Sequence, residues 1–98
     1  MNIFKICFSD NGIEEDKIQE VIDELHLLGS TFWEDAEDYM FFAGLGGGYS
    51  WLEMDGDKFD LNGNGLKPGD REVVDFDVWY EEAMKTLKGE HNDHSSKY

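Results

Sequence analysis

Cysteine is all but absent: Cys7 stands alone among the 98 residues, so no internal disulfide and no paired-cysteine metal knuckle can form. A lone cysteine suits a reducing compartment. Long apolar runs are missing as well. No stretch approaches the roughly 20 apolar residues of a membrane span, and no basic start precedes an apolar segment as in a signal peptide. These absences lead us to expect a soluble, cytoplasmic protein without membrane attachment. Basic residues are scarce too, with 8 Lys and Arg against 23 Asp and Glu and a formal net charge of −15. Such a surface repels nucleic acid, anionic lipid and acidic substrates, and draws cations and basic protein surfaces from a distance.

The chain nonetheless contains enough to fold. Hydrophobic residues make up 40% and aromatics 14%, which at this length supports one domain with a modest core. Ile3, Phe4, Ile6, Cys7 and Phe8 predict a first strand over Met1–Phe8, apolar on both faces and therefore internal to a sheet. Ile18, Val21, Ile22, Leu25 and Leu28 recur at helical spacing and predict a helix over Ile13–Leu28, with Asn11 and Glu14 at capping-box spacing and Gly29 as its stop. His26 lies beside that stripe as a boundary residue.

The stretch Tyr39–Met54 combines aromatics with Gly44, Gly46, Gly47 and Gly48, and predicts two strands joined by a glycine-rich loop. A short strand over Ser30–Trp33 and an acidic turn precede it. Asp55-Gly56 predicts a tight turn into a strand through Phe59 and Leu61, and Asn62-Gly63 and Asn64-Gly65 predict further turns. Arg71–Phe76 reads as a last strand. A helix over Asp77–Lys88, with Phe76, Tyr80, Ala83 and Leu87 on one face, closes at Gly89. The expectation is α+β: a mostly antiparallel sheet of four to five strands with two helices, in the order strand, helix, strands, helix. Residues 1–89 form the single domain and 90–98 a disordered tail.

Motifs for chemistry are incomplete. Asp60-Leu61-Asn62-Gly63-Asn64-Gly65 matches the first half of an EF-hand calcium loop, but Arg71 occupies the twelfth position, where a bidentate glutamate is needed. Calcium held by another cage that includes Asp55 and Asp57 remains an alternative. The GLGGG run lacks the lysine and following helix of a phosphate loop. No nucleophile stands beside a base, so neither an enzyme nor a cofactor is expected.

What remains is acid beside aromatic rings. Glu34, Asp35, Glu37 and Asp38 precede the glycine-rich stretch, and Glu53, Asp55, Asp57 and Asp60 follow it. On one strand face, Glu53, Asp55 and Asp57 would stand about 6.8 Å apart, near the interval of successive phosphates. Tyr49 and Trp51 are the candidate anchors. The expected partner is a basic nucleic-acid-handling protein such as a nuclease, held at the surface that would otherwise hold nucleic acid. Phage inhibitors of restriction or CRISPR nucleases, and immunity proteins against nuclease toxins, are similar in size and charge, though no motif is shared. The plainer reading is a solvated acidic coat.

Overall fold

The apolar start of the chain becomes the centre of the sheet. In the computed structural model, which describes residues 1–29 and 31–95, strand β1 (Ile6–Ser9) lies between β2 (Tyr49–Asp55) and β4 (Glu72–Val73), and β3 (Lys58–Asn64) pairs with the far side of β2. Ile6, Cys7 and Phe8 are all buried, as an internal strand with two apolar faces requires. The strand is shorter than predicted, because Ile3–Lys5 forms a 3₁₀ turn whose first donor is capped by Asn2. The β1–β2 and β2–β3 pairs are antiparallel, but β4 runs parallel to β1. The sheet is therefore mixed, with four strands.

Three helices accompany it rather than two. Helix α1 (Glu15–Leu27) buries Ile18, Val21, Ile22 and Leu25, the predicted stripe. Its N-cap is Glu14, with no side-chain cap, while Asn11 sits in a separate 3₁₀ turn, so the predicted capping box is not formed. Helix α3 (Phe76–Ser95) runs past Gly89, so the predicted stop there is corrected; residues 96–98 of the predicted tail lie outside the described residues. Its buried face is Phe76, Trp79, Ala83 and Leu87. Tyr80 is displaced to the flank, where Lys17 stands 5.4 Å from its ring and bonds Asp77 at 2.8 Å.

The main correction concerns Tyr39–Gly48. In place of a strand, residues Ala36–Gly46 form helix α2. The Asp35 side chain accepts from the Asp38 N–H at 2.8 Å, and Asp38 accepts from the Glu34 N–H at 3.2 Å. The predicted acidic turn is thus a reciprocal cap, with negative charge where the helix dipole favours it. Ala36, Tyr39 and Ala43 turn inward, and Trp33 packs edge-on to Tyr39 at 5.1 Å. Glycines inside a helix each cost about 1 kcal/mol relative to alanine, and here packing of the aromatic face offsets that cost. Gly47, at φ 52°, ends the helix, and its N–H bonds the Ala43 carbonyl at 2.8 Å. The predicted strand over Ser30–Trp33 is also absent at Thr31–Trp33; Ser30 lies outside the described residues.

One core gathers Ile6, Phe8, Leu52 and Leu61 from a single sheet face with the inner faces of all three helices. A polar relay crosses its edge. Tyr39 donates to Ser50 Oγ, Ser50 donates to Asp10 Oδ1 at 2.5 Å, and Asp10 Oδ2 accepts from the Gly48 N–H at 3.2 Å. Burial raises the Asp10 carboxyl above its usual range against the pull of the Ser50 and Gly48 bonds. Burial also raises the Tyr39 hydroxyl, leaving it a donor throughout the neutral range. Among the described residues no helix is long and apolar enough to cross a membrane.

Two tests follow from this packing. A Cβ on Gly48 would meet the Asn64 carbonyl oxygen at 2.3 Å, whereas one on Gly44 meets nothing within 4 Å. Gly48→Ala should cost about 1–3 kcal/mol in urea unfolding, and Gly44→Ala should add about 0.5–1 kcal/mol; equal effects would contradict the close approach at Gly48. A raised native pKa for Asp10 means that the folded state holds this proton more tightly than the unfolded chain. Its contribution is then most favourable below the ordinary value of 3.8 and is lost as pH rises through the folded value. The stability of the wild type relative to Asp10→Asn should therefore rise as pH falls from neutral to about 4, and a difference independent of pH would refute it.

Candidate acidic interface

Strand parity sets one side of the site. On β2, Tyr49, Trp51, Glu53 and Asp55 alternate with the buried Ser50 and Leu52 and so point away from the helices. Across the ladder Glu53 faces Asp60, and Asp55 faces Lys58. The predicted row of three ends after two members, because the chain turns at Gly56, φ 68°, and carries Asp57 into the hairpin loop. Glu53 is engaged from within. Its Oε2 accepts from the Trp51 indole N–H at 2.8 Å and lies 3.7 Å from Arg71 Nη2, while the Arg71 guanidinium sits 4.8 Å over the Trp51 ring. The proposed anchor Trp51 is thus covered on one face by an arginine of its own chain. Tyr49 is half-buried beside Ser9, Gly48 and Gly65.

Asp60 organises the other side. It accepts from the Thr31 hydroxyl, from the Phe32 N–H at 3.0 Å and from the Leu61 N–H at 2.8 Å. The Trp33 indole donates to the Leu61 carbonyl at 2.6 Å, and His26 Nε2 contacts the Trp33 carbonyl oxygen at 2.8 Å. These bonds hold Thr31–Trp33 against the edge of β3. Trp33 is drawn inward and Phe32 is left outside, 80% exposed. Between them opens a groove of about 750 Å³, walled by Phe32, Trp33, Phe42, Met54 and Leu61, with Glu53, Asp55 and Asp60 also lining it.

Helix α2 contributes a second acidic and aromatic patch. Asp35 and Asp38 are used in its cap but stay exposed, as does Glu37 beside them. A turn further on, the exposed side presents Phe41 at 71% and Leu45 at 76%. Phe32, Phe41 and Met54 were not singled out from the sequence, where an aromatic run reads as core. A signal was there for Phe41: it lies four residues from Glu37 and from Leu45, on the face opposite Ala36, Tyr39 and Ala43.

Two of the cations are engaged elsewhere. Lys17 pairs with Glu14 and Asp77, and Arg71 with Glu53 and Asp70. Among the described residues, none forms a salt bridge to Glu34, Asp35, Glu37, Asp38, Asp55, Asp57 or Asp60.

The half EF-hand motif is not a loop. Asp60, Asn62 and Asn64 all lie on β3, paired with Glu53, Trp51 and Tyr49, and the turns predicted at Asn62-Gly63 and Asn64-Gly65 give way to strand up to Asn64. Gly63 is needed there because a Cβ would approach Ser50 Oγ to 2.9 Å. Both Asp60 oxygens already accept from protein donors, and Asn64 Oδ1 accepts from the Leu66 N–H at 3.2 Å. Among the described residues no three His, Cys, Asp or Glu side chains converge as a metal site. Cys7 is buried, and desolvation raises its thiol despite the opposing pull of Arg71 and Lys67.

No protein-family model matches the chain, and no curated protein or solved structure is significantly similar to it.

Removing the Asp60 carboxylate should release Phe32 and unsettle Trp33. Asp60→Ala is expected to lower stability by about 1–3 kcal/mol through unsatisfied donors, measured by urea unfolding, and to shift Trp33 emission to the red. Asp55→Asn, whose side chain is exposed and accepts no recorded bond, should change stability by less than about 0.5 kcal/mol. Equal losses in the two variants would remove Asp60 from its anchoring role.

Proposed function

We propose that this protein is a small cytoplasmic inhibitor that covers the basic, nucleic-acid-binding surface of another protein, acting without catalysis or cofactor. The observation that carries this reading is the pair of exposed phenylalanines: Phe32 stands beside Asp55 and Asp60 and Phe41 beside Asp35, Glu37 and Asp38, carboxylates that form no salt bridge among the described residues. Exposed aromatic rings provide buried anchor area on binding. Unneutralised acid around them steers a positively charged partner and selects against acidic ones. A net charge of −15 makes this attraction long-ranged. The proteins with the most concentrated positive surface are those that grip phosphates, and a nuclease is the first class to consider. Phage inhibitors of restriction or CRISPR nucleases, and immunity proteins against nuclease toxins, work within the same size and charge. Mimicry here rests on the overall field rather than on a regular row, since only Glu53 and Asp55 keep the two-residue strand interval.

The test is capture by the purified protein from a lysate of its source cell, followed by elution with salt and with DNA. A basic nucleic-acid-handling protein should be retained, released by DNA, and bound at least tenfold more weakly by a Glu34→Lys, Glu37→Lys, Asp57→Lys variant, in line with several exposed charge pairs of up to about 1 kcal/mol each. A retained protein indifferent to both DNA and charge reversal would overturn the proposal.

A further inference from the structure

The groove between Phe32 and the β2–β3 hairpin has a chemistry narrower than general acidity. Its walls are apolar and aromatic, from Phe32, Trp33, Phe42 and Met54, while Asp55 and Asp60 give it negative charge. An anion would be repelled. A wholly apolar occupant would strip water from carboxylates without replacing it. An occupant with an apolar stem and a cationic head satisfies both parts.

The same chain already displays that solution once. On β2, Arg71 lies 4.8 Å over the Trp51 ring with Glu53 Oε2 3.7 Å from its Nη2, and its side chain is only 14% exposed. Aromatic face, guanidinium and carboxylate are assembled there from within. At the groove, aromatic and carboxylate are present; Lys58 stands across the ladder from Asp55, but neither it nor any other cation of the described residues forms a salt bridge to Asp55 or Asp60. Asp60 accepts only from uncharged donors. Of the two basic side chains, arginine fits better: its planar, weakly hydrated guanidinium stacks on rings and bonds carboxylates along a plane, whereas the lysine ammonium keeps its water.

From this we infer that the groove lined by Phe32, Trp33, Asp55 and Asp60 is a receptor for an arginine side chain of the bound protein. This rests on the inhibitor reading and names the contact by which it holds its partner.

The probe is the peptide acetyl-Leu-Arg-Leu-amide, compared with its lysine and citrulline analogues, titrated into the ¹⁵N-labelled protein. Saturable shifts are expected at the Trp33 indole N–H and the Leu61 and Asn62 amides, with the Trp79 indole unmoved. Arginine should bind more tightly than lysine, and citrulline several-fold more weakly than either. Asp55→Asn and Phe32→Ala should each weaken the arginine peptide by roughly threefold or more, the scale of one partly exposed contact, while in Asp55→Asn the Trp33 indole keeps its resonance position in the unbound protein. Absence of groove shifts, or equal binding of citrulline, would overturn the inference. In the capture experiment, a DNA-displaceable partner held equally by Phe32→Ala and Asp55→Asn would sink the groove and leave the inhibitor reading standing. Arginine binding without any such partner would do the reverse.

Discussion

The relay from Tyr39 through Ser50 to Asp10 and the Gly48 amide joins helix α2, strand β2 and the end of β1, where the Asp10 N–H also bonds the Gly48 carbonyl at 2.8 Å. It fixes helix α2 to β2 and to the end of β1, at the point where the backbone of Gly48 closes on Asn64 and Gly65. Tyr39 and Ser50 are buried and Asp10 and Gly48 half-buried, and an unpaired hydroxyl in that position would be costly. The relay therefore demands that α2 be a helix docked at one height. Once it is, Trp33 meets Tyr39 and Phe42, its indole reaches the Leu61 carbonyl, and the groove at the edge of β3 acquires its back wall.

The acid on this surface divides by what it does. Asp35 and Asp38 cap α2, Asp60 holds Thr31–Trp33, and Glu53 holds Trp51 and Arg71. These carboxylates build the local structure and still carry charge outward. Among the described residues, Glu37, Asp55 and Asp57 have no such internal role. A surface assembled this way keeps its negative field fixed in place, because several of its charges are locked by backbone donors rather than by mobile cations. Under the proposed inhibitor reading, such a surface would bind with little ordering cost on its own side.

Reading the chain alone located much of this correctly and misread one part for an identifiable reason. The stripe Ile18, Val21, Ile22, Leu25 has a single periodicity, and α1 follows it. Asp55-Gly56 marked the hairpin turn, and the outward parity of Glu53 and Asp55 followed from strand alternation. Tyr39–Phe42 is apolar at every position, so periods of two and of 3.6 fit equally, and the glycines beyond it suggested a loop. The Asp35–Asp38 capping spacing was the overlooked signal. Tyr49 and Trp51 were chosen as anchors by their place among acids, yet the arginine that covers Trp51 lies 20 residues away in sequence, between turns that carry no pairing information.

Local pattern and composition were enough to determine that this is an α+β chain with a strongly negative field, an internal first strand and an amphipathic first helix, because each of those depends on neighbours in sequence or on counting charges. Which rings remain outside, which carboxylates are already engaged, and whether Asp60, Asn62 and Asn64 curl around an ion or lie flat in a strand were decided only by tertiary structure. Those outcomes depend on contacts between segments distant in sequence, Thr31 with Asp60, Trp33 with Leu61 and Arg71 with Trp51, whose geometry no local periodicity encodes.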